Sequence, residues 1–217
     1  MYTTIDTKSI DTKSIDIKNG VAIFPLAAAL FPHAVVALQI FEPRYLDMVA
    51  NCLKNDCGFV VVGIREGHEV IRVRGEALPA IHHVGCYARI TQWDGLPGQK
   101  LLITIRGEKR VHLDNLREEN NRLLVGDIEE VAESPDFALP DDYLALADVL
   151  AALVEHPALA RLGLNYQPSS VAQVTSLLAQ YLPLPEHKKQ RLLSEYDIVG
   201  RLPFLKREIE TLSGGVV

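Results

Sequence analysis

The chain contains no uninterrupted apolar run approaching the roughly 18 residues that a membrane-crossing helix requires. Its first residues carry neither the cationic nor the apolar region of a secretory signal. The expectation is a soluble, cytoplasmic protein with no membrane partner. Cysteine is scarce: three residues, an odd number, in a chain of 217 that is long enough to build a core without cross-links. That usage predicts reduced thiols. Positive charge is short as well, with 22 Lys and Arg against 28 Asp and Glu and a net charge of −6. No global positive field is available to draw in phosphate backbones, so nucleic acid is a disfavoured partner. No serine lies in a Gly-x-Ser-x-Gly elbow. The nearest approach to a phosphate-cradling loop, Gly95-Leu96-Pro97-Gly98-Gln99-Lys100, lacks both the spacing and the hydroxyl after lysine that would hold magnesium. It reads as a hairpin turn.

What is present is ample apolar material, 48% of residues, enough for one large or two modest domains; two is the expectation. Residues 5–18 repeat Ile-Asp-Thr-Lys-Ser and continue as Ile-Asp-Ile-Lys, without helical or two-residue periodicity. So few apolar groups offset ordering entropy poorly, and residues 1–19 read as an appendage. From Gly20 the chain reads as strands. Val21–Leu26 and Val35–Phe41 are short and β-branched, with Pro25 and Pro32 punctuating the link. A helix should start at Pro43, whose fixed φ and missing N–H suit a first turn. Tyr45, Met48, Val49, Cys52 and Leu53 then share one face. Asn55-Asp56-Cys57-Gly58 stops it, Phe59–Ile64 is a buried strand, and Gly67 to Pro79 is a loop with a ragged edge strand. Val84–Trp93 and Lys100–Arg106 form a hairpin about the turn Asp94–Gly98, followed by strands Arg110–Leu116 and Leu123–Val131. About seven short strands and one helix result.

Past Val131 the composition changes. Ser134-Pro135 and Leu139-Pro140-Asp141-Asp142 mark a linker and a cap, and the remainder is helical. Leu144, Ala147, Leu150, Ala151 and Val154 form one stripe, and Val171, Val174, Leu177, Leu178 and Tyr181 form another that starts at Ser169 or Ser170. A third helix runs from Pro185 and a fourth spans Asp197 to Leu212, either beginning at Pro203 after one preceding turn or kinked there.

The order Pro25-Leu26, Phe31-Pro32, apolar strand, then Phe41-Glu42-Pro43-Arg44-Tyr45 entering a helix resembles the start of the amino-terminal domain of Lon proteases. Later motifs are similar too: Gly85-Cys86-Tyr87-Ala88-Arg89-Ile90, Asp94-Gly95, Ile105-Arg106-Gly107-Glu108-Lys109-Arg110-Val111, and Leu182-Pro183-Leu184 through Lys189-Gln190-Arg191-Leu192-Leu193 to Arg201-Leu202. Roughly residues 20–213 are covered, and the joint order of the motifs is what makes the likeness specific. The resemblance implies an α+β protein: a PUA-like mixed β pseudo-barrel domain over 20–133, then a small C-terminal helical bundle over 134–217. It implies a stand-alone substrate-binding domain without the ATPase and protease domains. Its function would be non-catalytic recognition of unfolded or apolar polypeptide segments in protein quality control, with a protease or chaperone as a further candidate partner. It implies no cofactor and no metal.

The residues themselves offer few rival chemistries. Cys52, Cys57, His82, His83 and Cys86 are the one set with a metal-like look, but their spacing does not suit zinc. A small hydrolase using Cys86 with His82 or His83 lacks an orienting partner. Glu42 and Arg44 read as a carboxylate at a helix start and a locally paired arginine, and the Phe41–Tyr45 motif as mainly structural. The candidate contact surface is Phe31, Pro32 and His33, in a loop where exposed apolar groups would be unusual unless something binds, together with Tyr87 and Trp93, which either flank a groove or are packed in the interior. RNA is the alternative ligand of a PUA-like fold. It requires Arg65, Arg72, Arg74, Arg89, Lys100, Arg106, Lys109 and Arg110 to form a stripe with Tyr87 or Trp93 among them.

Overall fold

The computed structural model describes residues 18–69, 77–195 and 197–214. The repeat over residues 5–17 and the middle of the expected Gly67–Pro79 edge strand lie outside the described residues. Two compact units are present. One comprises Met1–Leu30 with Val35–Val131, the other Phe31–Ala34 with Ala132–Val217. The break expected after Glu133 falls after Val131, and a four-residue loop from the middle of the strand region counts with the helices. No helix among the described residues is long and apolar enough to cross a membrane.

The first unit is a mixed sheet of β1 (Lys18–Leu26), β2 (Val35–Ile40), β3 (Phe59–Glu66), β4 (Ala80–Leu96), β5 (Lys100–Glu118) and β6 (Leu124–Glu130), with helix α1 (Pro43–Asn55) after β2. The strand order is β2-β5-β4-β3-β1-β6, and β6 pairs again with β5. Five strands thus close a near-barrel ring, and β2 is a sixth attached outside it. β1 and β3 run parallel, Ile23 opposite Val60, across the connection that holds α1. The two strands expected over Lys100–Arg106 and Arg110–Leu116 are one. Gly107 to Lys109 carry the ladder through a register shift opposite Tyr87 and Ala88 instead of breaking it. The first part of β5 pairs with β2, from Ile40↔Leu101 to Val35↔Arg106, and the second with β6, from Val111↔Glu130 to Glu118↔Leu124. The hairpin turn also sits later than expected: Asp94–Leu96 remain in β4, and Gly98 and Gln99, at φ 80° and 57°, make the reversal.

Inside the ring, Ile23, Val60, Val62, Tyr87, Val111, Leu113 and Ile128 form the core. β3 is apolar on both faces because its other face also has cover. Phe24 of β1 stacks 4.5 Å from Tyr45 of α1 and 6.1 Å from Phe59. Helix α1 begins at Pro43, buries Tyr45, Met48, Val49 and Cys52, and ends where Asp56 turns left-handed.

The second unit holds a 3₁₀ turn (Asp141–Tyr143), α2 (Leu144–Glu155), α3 (Pro157–Ala160), α4 (Val171–Tyr181), α5 (Glu186–Ser194) and α6 (Ile198–Leu212). The stripe expected from Leu144 is buried only in part: Leu150 belongs to it, Leu146 does not. Leu144 is half exposed, and α2 buries Leu146 and Leu150. Pro203 neither starts nor ends α6. The helix is capped by Asp197, whose Oδ1 accepts the Val199 N–H at 2.9 Å, and it continues through the proline.

Candidate functional site

Of the residues expected on a contact surface, Trp93 is exposed at 41% and His33 is half-buried. Phe31, Pro32 and Tyr87 are interior. Phe31 belongs to the helical unit, where its N–H donates to Gln180 Oε1 at 2.9 Å and its carbonyl accepts the Ala34 N–H. An apolar loop that looks idle in the strand region is therefore core of the other unit. Tyr87 points into the ring. Its hydroxyl accepts the Gly58 N–H at 2.7 Å, and a Cβ on Gly58 would meet the Ala88 carbonyl at 2.2 Å, so only glycine permits the approach. Burial raises the Tyr87 phenol above its ordinary value.

Exposed apolar residues gather elsewhere, on the ribbon that β2, the start of β5 and the end of β4 form outside the ring. Phe41, Trp93 and Leu102 are three of the seven large hydrophobic side chains exposed among the described residues. Register divides them between faces. Trp93 lies opposite the buried Ile103, which separates it from Leu38, and diagonal to Leu101, whereas Leu102 lies opposite Asp94 and Gln39 with Phe41 diagonal to it. Phe41, read as mainly structural, thus faces solvent, and Leu102 was not singled out at all. The signal that could have found both is parity: once Ile103 and Ile105 face inward, Leu102 must face outward. The pairing of β3 with β4 ends at Phe59↔Ala88, so among the described residues Ile90–Leu96 is laddered to β5 alone. One edge of this stretch is open.

The rest of the opening motif is internal scaffolding. Arg44 is buried, pairs with Glu42 at 2.9 Å, donates to the Arg122 carbonyl at 3.1 Å and lies 4.4 Å over the Tyr45 ring. It ties the start of α1 to the turn between β5 and β6. Burial pushes the Tyr45 phenol up to about 12.

A cleft of about 610 Å³ opens beside the far end of α1, lined by Met48, Asn51, Cys52, Cys57, Tyr87 and Asn121 among others. Cys86 is buried in β4, and His82 stands four residues before it, in the stretch where the register with β3 shifts. His83 is exposed. Burial lowers the His82 imidazole below its usual range. No group of three metal-capable side chains converges among the described residues. Arg89 pairs with Asp56 and Glu108, Lys109 pairs with Glu130, Arg110 is buried, and Arg72 and Arg74 lie outside the described residues.

Comparison with known proteins places this geometry. Residues 20–210 match the ATP-dependent protease La (LON) substrate-binding domain. Lon protease 1 of Hydrogenovibrio crunogenus is 26% identical over 188 residues, which are 84% of this chain and 22% of that protein. The chain therefore spans about a fifth of the curated relative it matches. The crystal structure of a Lon N-terminal domain protein from Xanthomonas campestris superposes with a TM-score of 0.69 at 29% identity, covering 87% of this chain and 97% of that one. The N-terminal domain of Mycobacterium avium complex Lon protease shares the fold, with a TM-score of 0.57 at 18% identity over 86% and 95% of the two chains. With the ring, the helical unit and the ordered motifs all accounted for over 20–210, the chain belongs to the family of LON substrate-binding domains.

Proposed function

We propose that this chain recognises polypeptide, holding extended apolar segments of partly unfolded proteins at the outer edge of the β2–β5–β4 ribbon and performing no chemistry on them. The observation that carries the reading is the open Ile90–Leu96 edge with exposed apolar side chains on both faces beside it: Trp93 on one, Leu102 and Phe41 on the other. A strand added at an edge presents its side chains alternately to the two faces, so apolar cover on both suits edge addition better than a ligand lying on one face. Main-chain hydrogen bonds supply affinity without demanding a sequence, as a receptor for many unfolded chains needs. The family description supports the same role, since substrates of a protease are polypeptides.

The affinity expected of such a shallow site is micromolar, about −8 kcal/mol at 1 μM. The test is fluorescence anisotropy with a reduced, unfolded protein fragment, the same fragment methylated at alternate backbone nitrogens, and a single-stranded RNA, each at low and high salt. The unmodified fragment should bind with little salt dependence. Backbone methylation should abolish binding, and Trp93→Ala or Leu102→Asp should weaken it about tenfold. Salt-steep binding of RNA with none of peptide would overturn the reading, because phosphate contact loses affinity with ionic strength and apolar contact does not.

A further inference from the structure

The end of α1 brings two thiols together. Asp56 is left-handed, at φ 49° and ψ 49°, and the Cys57 N–H donates to the Cys52 carbonyl at 3.1 Å. This is the six-to-one closure of a Schellman end, in which the side chains at its two termini face each other, ordinarily as an apolar contact. Here both are cysteines, and Cys57 is near enough to help raise the Cys52 thiol. Standard covalent geometry around that 3.1 Å bond caps the Cα separation near 7 Å, and the bent closure draws it into the disulfide range of about 4.4–6.8 Å. Both residues line the 610 Å³ cleft, Cys57 being half-buried and Cys52 buried. Cys86, the third cysteine, is buried in β4 with its Sγ directed to the Tyr87 carbonyl at 3.5 Å.

We propose that Cys52 and Cys57 are a reversible disulfide pair, a redox-modification site at the carboxy-terminal end of α1 that exchanges with low-molecular-weight disulfides. Cys57, the sulfur that solvent reaches, attacks one sulfur of the incoming disulfide as its thiolate and expels one small thiolate. Cys52 then loses its proton to solvent, attacks the Cys57 sulfur of the mixed disulfide and expels the second. The net change oxidises two protein thiols by two electrons to one disulfide and reduces one small disulfide to two small thiols. Burial pushes the Cys52 thiol well above its ordinary value, so the second step is the slow one and quickens about tenfold per pH unit around neutrality.

The experiment treats the full chain with oxidised glutathione, quenches in acid, and reads intact mass and peptide map over time. Wild type should pass through a glutathione adduct to a species that has lost two hydrogens and carries a Cys52–Cys57 link. Cys52→Ser and Cys52→Ala, each checked for a wild-type circular dichroism spectrum, should trap the adduct on Cys57. Cys57→Ser should react at least about tenfold more slowly. A wild-type adduct as persistent as that of the Cys52 variants, a link mapped to Cys86, or no reaction at all would overturn the proposal.

Discussion

Tyr45 shows how one side chain joins helix to sheet. Its ring stacks on Phe24, Arg44 covers it, and 4% of it meets solvent. Tyr45→Ala removes a packed aromatic group and should cost about 3–5 kcal/mol in thermal or urea unfolding. Lost peptide binding with an unchanged melting temperature would instead place Tyr45 on the functional surface. The phenol also predicts an alkaline limit. Its folded value of about 12 stands above the ordinary 10.0, so the protonated form favours the fold. That contribution is whole below pH 10 and is lost as pH climbs towards 12. Two units correspond to about 3 kcal/mol. Cys52, raised likewise to about 12 from 9.0, begins its loss earlier. Urea midpoints measured at about pH 9 and about pH 11 should therefore fall for wild type and fall less for Tyr45→Phe, which keeps the ring and drops the proton. At this scale the helix face was legible because its spacing is local. The fate of Tyr87 was not, because it depends on Gly58, a neighbour only in the folded ladder.

At the scale of elements, local chemistry fixes ends better than it fixes continuity. Ser170, one of the two expected starts, caps α4. Its Oγ accepts the Gln173 N–H at 3.1 Å and donates to Asp136 Oδ2 at 2.6 Å, while Asp136 Oδ1 accepts the Ala172 N–H at 2.9 Å. Two side chains thus share one helix end. Ser170→Ala should cost about 1–2 kcal/mol, and adding Asp136→Ala should cost less than the sum of the two single changes, as measured by a double-mutant cycle. Full additivity would mean the two caps act separately. Continuity was harder to read. Gly107 looks like a break in composition, yet β5 passes through it because β4 supplies a partner on both sides of the shift. The buried side of α2 was placed only in part, since its run of Leu, Ala and Val from 144 to 154 is apolar nearly all round and periodicity alone selects no face.

For the whole molecule, the change in composition after Val131 showed that strands give way to helices, but no linear reading predicts that Phe31–Ala34 counts with the later unit. That membership has a measurable effect. The fragment Ala132–Val217 expressed alone lacks buried Phe31 and leaves Gln180 without its backbone donor. Its melting transition should be lower and broader by circular dichroism than that of the same fragment given a peptide spanning residues 29–36. Equal transitions would show that the loop adds nothing.

The closed ring also bears on the order in which the protein folds as it is made. Of these six strands β1 is made first, and it completes the ring only when Val21 and Ile23 meet Gly126 and Leu124 of β6, the last of them. Contacts so distant along the chain are slow to form. Until β6 emerges, the β1 edge stands open and Ile23 lacks its full cover. Phe31 waits longer, for Gln180. A nascent chain halted before Leu124 exposes the same kind of unpaired apolar strand that we propose the finished protein recognises in others.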